Sequence, residues 1–187
     1  MFTALVRSAP MPFDRDEVEA AFRNYWALGA VGEDWDAWCD ECFTDDVTYI
    51  EHILGSKQGR EEVRAWIKPT MEEYGEIYTA YEWHMIGDDG RVVVYMQNRR
   101  DHPKSGAPPI DFPGMTVLQY AGNGKFSLEE DFWSLPEGIA TAKQYAAACR
   151  DHDANFAVKR TRDNWGDGPD WTQGASTYAE SRGAQRK

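Results

Sequence analysis

Four strand-like segments in the second half of the chain constrain the fold more than any other feature of this sequence. They are rich in β-branched and aromatic residues and span about residues 76–86, 91–100, 111–121 and 125–134. An Asp-Asp-Gly triplet at 88–90 joins the first pair, and a Gly-Asn-Gly triplet at 122–124 joins the last pair. Both triplets are typical of tight hairpin turns. The pattern predicts a four-stranded antiparallel meander.

The first half of the chain predicts three helices and one strand ahead of the meander. Apolar residues recur at helical spacing over residues 14–28, and a second short helix is predicted from Asp34. Residues 47–53 are enriched in strand-forming side chains. A third helix is predicted from Arg60, and Pro69 should kink or interrupt it, because proline clashes with the preceding turn and donates no backbone hydrogen bond.

The length of 187 residues fits one domain with flanking segments. We expect a lead-in over residues 1–13, one domain over 14–150 and a polar tail over 151–187. Pro136 suits the first turn of a helix that closes the domain near Arg150. The tail carries Trp165 and Trp171 as isolated anchors, which are expected to pack on this domain or on a twin subunit.

The formal net charge of -12 disfavours nucleic acids and acidic membrane surfaces as partners, because both are negatively charged. The adjacent Arg99 and Arg100 are interpreted as a solvated face. With 42% hydrophobic and 13% aromatic residues, the chain has enough rings both for a core and for the wall of a pocket.

Location and redox state are predicted from what the sequence does not contain. No apolar run approaches the roughly 20 residues of a membrane helix, and the start lacks the basic lead of a signal peptide. A cytoplasmic location is therefore expected. Three cysteines without an export signal make a disulfide framework improbable.

The order of the predicted elements is helix, helix, strand, short strand, helix and meander. That order, together with the string FTDDV at 43–47, Gly55, and GREEV at 59–63, resembles the nuclear transport factor 2-like (SnoaL-like) superfamily over residues 14–135. The superfamily includes ketosteroid isomerases, scytalone dehydratase, polyketide cyclases and non-catalytic subunits. The resemblance implies an α+β fold, a cone-shaped barrel in which a curved, mixed or antiparallel sheet wraps around helices and an apolar pocket. It also implies a homodimer.

The resemblance implies a catalytic acid or base at the end of the first long strand, where two residues compete. Alignment with the family pattern forward from Asp45 and Asp46 places it on Glu51. Alignment backward from Gly55 places it on His52. A slip of one residue moves every side chain to the opposite face. Glu51 is favoured because Val47 and Tyr49 share its face. Burial among rings would raise the pKa of such a carboxyl and suit it to proton transfer.

Further site residues follow from the same resemblance. Tyr25 lies close to the position of the tyrosine that hydrogen-bonds an enolate in the isomerases. Thr116 stands where those enzymes carry a protonated acid, which argues against steroid isomerisation. His84 with Asp131 or Glu51 would suit dehydratase-type chemistry. The residues expected to contact a substrate are Tyr49, Thr116, Trp133, Phe22 and Trp66.

A Trp-Cys-x-x-Cys string at 38–42 resembles a thioredoxin-like redox motif. It lies inside a predicted helix and is flanked by acidic residues, which would raise the pKa of its thiols. One Cys pair and the distant Cys149 do not supply the four ligands of a structural zinc site. We therefore predict no redox role, no metal and no cofactor.

Two functions of different classes remain open. The first is a cofactor-independent isomerase, or a lyase of the dehydratase type, that moves a proton on a small hydrophobic carbonyl or hydroxyl compound. The second is a non-catalytic module that binds a ligand in the same pocket or assembles as a dimer through the sheet.

Overall fold

The protein is described by a computed structural model over residues 12–159. The helices are α1 (Arg15–Trp26), α2 (Trp35–Cys42), α3 (Arg60–Glu73), α4 (Leu135–His152) and α5 (Phe156–Lys159), and a π-helical turn (Ala27–Val31) follows α1. The strands are β1 (Phe43–Glu51), β2 (Lys57–Gln58), β3 (Tyr78–Ile86), β4 (Arg91–Arg100), β5 (Ile110–Gly122) and β6 (Lys125–Trp133). Most of the predicted lead-in and tail, including Trp165 and Trp171, lies outside the described residues.

The six strands form one sheet in the order β2-β1-β6-β5-β4-β3. β1 runs parallel to β6, and every other pair is antiparallel. The predicted meander is therefore present as β3 to β6, and the expectation of a mixed α+β fold is confirmed. The sheet is curved but does not close, because β2 and β3 form its two edges.

Helix α1 shows how the local sequence produces the packing. The Asp14 side chain caps it by accepting the backbone N–H of Asp16 at 2.8 Å, as an N-cap residue does. The apolar stripe buries Phe22 and Trp26, which are 0% and 2% exposed. These rings join residues of α2, α3 and the inner sheet face in one hydrophobic core. The inner face of the sheet is thus the side that carries the helices.

The start of β1 and the course of α3 differ from the sequence-based expectation. β1 begins at Phe43 instead of residue 47, because Phe43 already pairs with Phe126 of β6, and a register shift between Phe43 and Thr48 accommodates the polar residues that follow. Helix α3 runs through Pro69 without interruption. The hairpin turns agree with prediction: Gly90 and Asn123 adopt φ of 78° and 55°, in the left-handed region that such turns require.

Within residues 12–159, none of the helices is both long enough and apolar enough to cross a membrane.

Candidate active site

A cavity of about 310 Å³ opens between the inner face of the sheet and the helices α3 and α4. Its volume lies at the lower end of the roughly 300–1,000 Å³ found for small-molecule sites. Most of its wall is apolar. The lining residues are Tyr49, Glu51, Leu54, Trp66, Ile67, Thr70, Met71, Tyr74, Ile77, Asn98, Arg100, Phe112, Trp133, Leu135, Gly138, Ile139 and Ala142.

Glu51 supplies the carboxyl group of this cavity. It is the last residue of β1 and is only 4% exposed. Its Oε1 accepts the indole N–H of Trp133 at 2.9 Å and the backbone N–H of Ile53 at 3.3 Å. Its Oε2 accepts the backbone N–H of Leu54 at 2.5 Å. These three bonds fix the orientation of the Glu51 side chain at the cavity wall.

The chain folds back around Glu51 because of a tight turn after β1. The backbone N–H of Gly55 donates to the carbonyl oxygen of Glu51 at 2.8 Å, and Gly55 adopts a φ of 91°. A side chain is strained in that conformation, whereas glycine is not. The turn presents two backbone N–H groups to the carboxylate and holds it at the cavity wall.

His52 lies on the opposite face of the sheet from Glu51. Its Nε2 is 2.9 Å from Oε1 of Glu130, and its side chain is 50% exposed. Its ring also contacts that of Phe132, with centroids 5.0 Å apart. The two alternatives for the catalytic position are therefore separated in space, and of the two only Glu51 is a cavity residue.

Asp131 lies beside Glu51 in the sheet, paired with it across β1 and β6. It accepts the hydroxyl of Tyr49 at 2.5 Å and the hydroxyl of Thr116 at 2.5 Å. Burial raises the pKa of Asp131 to about 6, against the opposing effect of these two hydroxyl donors. Tyr49 lines the cavity, so its hydroxyl links the cavity to an acid with a raised pKa.

A second buried pair lies deeper in the core. The hydroxyl of Tyr25 donates to Glu129 at 2.7 Å. Burial raises the pKa of Glu129 well above its ordinary value, and the neighbouring Asp131 adds to the rise. Burial likewise raises the pKa of Tyr25. Tyr25 is thus engaged with Glu129 and is not among the residues that line the cavity.

The other predicted site residues divide between the cavity and the core. Trp66 and Trp133 line the cavity. Phe22 belongs to the core, with its ring centroid 4.3 Å from that of His84. The two nitrogens of the His84 ring lie 2.7 Å from Oε2 of Glu19 and 2.8 Å from the hydroxyl of Tyr81. The structure therefore does not bring His84 to the cavity with Glu51.

Two polar residues of the cavity were missed by the sequence reasoning. Asn98 and Arg100 both lie on β4 and face inward, and Arg100 is only 4% exposed. The interpretation of the two adjacent arginines as a solvated face is wrong for Arg100, whereas Arg99 is half-buried and pairs with Asp111 at 2.8 Å on the outer side. The alternation of side chains along a strand could have separated them.

The cysteines of α2 are structural. Cys39 and Cys42 are both 0% exposed. Burial raises the pKa of Cys39 to about 11 and that of Cys42 to about 12. Thiols with these pKa values carry almost no thiolate near neutral pH, which argues against redox reactivity.

The fold and the cavity together define a small α+β protein whose curved sheet and helices border a largely apolar cavity with one carboxylate. The profile of the SnoaL-like domain matches residues 15–128, and the chain belongs to this family. The predicted resemblance is confirmed at this level. A comparison with curated proteins found no match.

Solved structures agree on the fold. A protein with a ketosteroid isomerase-like fold from Catenulispora acidiphila, in complex with trimethylamine, is 24% identical with a TM-score of 0.52, over 65% of this chain and 91% of that one. A proposed polyketide cyclase from Xanthomonas campestris is 18% identical with a TM-score of 0.56, over 68% and 97%. The epoxide hydrolase/cyclase-like enzyme SalBIII, with a role in pyran ring formation in salinomycin, is 17% identical with a TM-score of 0.53, over 66% and 95%.

Proposed function

We propose that the protein is a cofactor-independent enzyme that moves a proton on a small hydrophobic carbonyl or hydroxyl compound, as an isomerase or a lyase of the dehydratase type. The observation that carries this proposal is the Glu51 carboxylate, which is buried in an apolar cavity and fixed there by Trp133 and the turn after β1. A positioned general base of this kind contributes a rate factor of about 10² to 10⁴.

In the first step, Glu51 takes a proton from the carbon next to a carbonyl group, and the electron pair of the broken C–H bond moves to the carbonyl oxygen. A carboxylate offers about four lone-pair directions, and three N–H donors occupy only part of them. The enolate oxygen needs a donor on the facing wall. The Asn98 amide is suited to this role because it lines the cavity on β4, three strands from Glu51.

The second step distinguishes the two reaction types. In an isomerisation, the protonated Glu51 returns its proton to another carbon of the enolate. In a dehydration, a hydroxyl group leaves and must be protonated. Tyr49 would donate to it and recover its proton from Asp131, 2.5 Å away, whose pKa of about 6 allows it to store one. In this relay Asp131, which the sequence predicted as a site residue, supplies a proton to Tyr49 and does not contact the substrate itself.

The proposal is tested by exchange in D₂O with small aryl ketones such as 2-tetralone and 2-indanone. NMR follows the replacement of protons next to the carbonyl by deuterium, a step shared by both reaction types. We expect the protein to accelerate exchange beyond an equal concentration of acetate, and naphthalene, which has no exchangeable position, to inhibit it. Absence of any acceleration across the panel would contradict the proposal.

A second candidate is a binding module without turnover, whose ligand is a small amine. The face of the Trp66 ring already carries an ammonium group, since Nζ of Lys57 lies 4.8 Å from its centroid. A cavity of rings with one carboxylate suits an alkylammonium through cation–π attraction. The trimethylamine complex of the Catenulispora protein favours this alternative. It predicts that trimethylammonium raises the melting temperature of the protein and that Glu51→Gln abolishes the effect.

A further inference from the structure

Arg100 is the one charged residue of the cavity wall that is not fully matched within residues 12–159. It is 4% exposed, and its Nη1 is buried without a hydrogen-bond partner in the described part of the chain. A buried charge is costly unless it is paired and hydrogen-bonded. A guanidinium offers five N–H donors in a fixed fork, so an unmatched donor here points to an acceptor that residues 12–159 do not supply.

The contacts that Arg100 does make fix its orientation and leave part of its fork unused. Its Nε donates to Oε1 of Glu76 at 3.2 Å. Its guanidinium carbon lies 5.6 Å from the ring centroid of Tyr145 on α4, which covers one face of the plane. The bond to Glu76 and the contact with the Tyr145 ring together restrict the orientation of the guanidinium, as is expected of a preorganised binding group.

Glu51 does not supply the missing hydrogen-bond acceptor for the Arg100 guanidinium. The structure pairs the Glu51 carboxylate with the Trp133 indole and two backbone N–H groups, and no ion pair joins it to Arg100. Most of the cavity wall is apolar, and it includes Phe112, Ile139 and Ala142. The cavity wall therefore carries a guanidinium and a carboxylate that do not pair with each other, within a largely apolar lining.

We propose that the natural ligand is a small monocarboxylic acid with a flat apolar body, bound with its carboxylate on the Arg100 fork. Its body lies against the rings of the cavity, and its reacting carbon faces Glu51. This assignment rests on the proposed function for the reaction and names the substrate class for the same site. A planar fork matches a carboxylate through two parallel bonds, which a neutral amide or alcohol cannot reproduce.

The overall charge of the protein does not oppose this assignment. The net charge of -12 repels anions at long range, but salt screens exposed charges beyond about 8 Å at physiological ionic strength. A desolvated guanidinium inside the cavity acts at hydrogen-bond distance, where its own field dominates. The cavity of about 310 Å³ limits the body to one or two fused rings.

The test compares 2-naphthoate with 2-naphthamide, which has nearly the same shape without the charge, by isothermal titration calorimetry. We expect the wild-type protein to bind the carboxylate at least tenfold more tightly than the amide. Arg100→Gln should remove this preference, and Arg99→Gln should retain it. Arg99 is the matched control, because it is the neighbouring arginine on the outer face. If Arg100→Gln does not fold, the Arg100→Gln/Glu76→Gln double variant avoids leaving the half-buried Glu76 carboxylate without its partner.

Other outcomes overturn the assignment. Equal binding of the two compounds by the wild-type protein would contradict it, and so would a carboxylate preference that survives Arg100→Gln. Tighter binding of 2-naphthylmethylammonium than of 2-naphthoate would contradict it in favour of the amine-binding candidate. Because the readout is affinity, a carboxylate preference without proton exchange would reject the proposed reaction and keep the anion site. Proton exchange without a carboxylate preference would keep the proposed reaction and reject the anion site.

Discussion

The indole nitrogen of Trp133, at the end of β6, lies 2.9 Å from a carboxylate oxygen of Glu51, at the end of β1. This contact joins two strand ends that are parallel neighbours and fixes the carboxylate against the cavity wall. The Trp133 ring is itself positioned by α4, since a Cβ on Gly138 would lie only 3.0 Å from it. A helix, a strand and a turn thus set the orientation of one acid.

Trp133→Phe should lower the stability by about 1.5–3 kcal/mol, because it removes a hydrogen bond to a charged acceptor. It should also slow ketone exchange. The matched control is Trp83→Phe, since the indole nitrogen of Trp83 is buried without a hydrogen-bond partner in the described chain. Urea unfolding measures both variants. Equal losses in the two would mean that the Trp133–Glu51 bond contributes nothing.

Asp131 should make the free energy of unfolding fall as pH rises, whereas an acid whose pKa is lowered on folding makes it increase. Its pKa rises from 3.8 to about 6 on folding. Between these values the unfolded chain has already lost the proton that the folded protein keeps, so stability falls as pH rises from about 4 to about 6 and then levels.

Relative to Asp131→Asn, the wild-type protein should lose up to about 3 kcal/mol of unfolding free energy across this window, because one pKa unit corresponds to about 1.4 kcal/mol. Urea titrations at pH 4 and pH 7 give the difference. A stability difference between the two proteins that does not change with pH would contradict the raised pKa.

Gly114→Ala should displace the amide of Asn98. A Cβ at this position would lie 2.9 Å from Nδ2 of Asn98 and 3.6 Å from Cγ of Met96. We expect slower ketone exchange and a stability loss of about 1–3 kcal/mol from overpacking. In the Asn98→Ala background the same change should cost little, because the obstructing amide is gone. A double-mutant cycle measures this coupling, and additive losses would show that the two residues act independently.

The outer sheet face is proposed as a homodimer interface. A row of large apolar residues crosses it, with Trp83, Tyr95, Met115 and Phe132 paired across four strands, and Phe132 is 37% exposed. Phe132→Lys should convert a dimer into a monomer, as judged by size-exclusion chromatography with light scattering. Val31→Lys, at an exposed apolar residue on the π-helical turn, should leave the dimer intact. A monomeric wild-type protein would rule out this interface.

The sequence predicted the fold well because the signals for strands and turns are local. The two hairpin triplets required particular backbone angles, and Gly90 and Asn123 adopt them. β1 was placed too short because the residues that follow Phe43 are polar, and a register shift that accommodates them depends on β6, a partner distant in the chain.

The site was harder to predict because inward and outward faces depend on register. Glu51 and His52 are adjacent in sequence but lie on opposite faces, and the face that Glu51 shares with Val47 and Tyr49 was the local signal that distinguished them. The same alternation separates Arg99 from Arg100, but a pair of arginines in an acidic chain suggested exposure. The burial of Arg100 depends on α4, whose contact with β4 no local pattern encodes.

The most direct test of the proposed reaction is the ketone exchange rate of Glu51→Gln, measured together with the affinity of the same variant for the ketone. Gln keeps the size of the side chain but cannot take the proton. We expect the rate to fall by about 10² to 10⁴-fold while the dissociation constant changes by less than about threefold. Glu130→Gln, on the outer face, should exchange at the wild-type rate. An unchanged exchange rate in Glu51→Gln with intact binding would show that Glu51 is not the base.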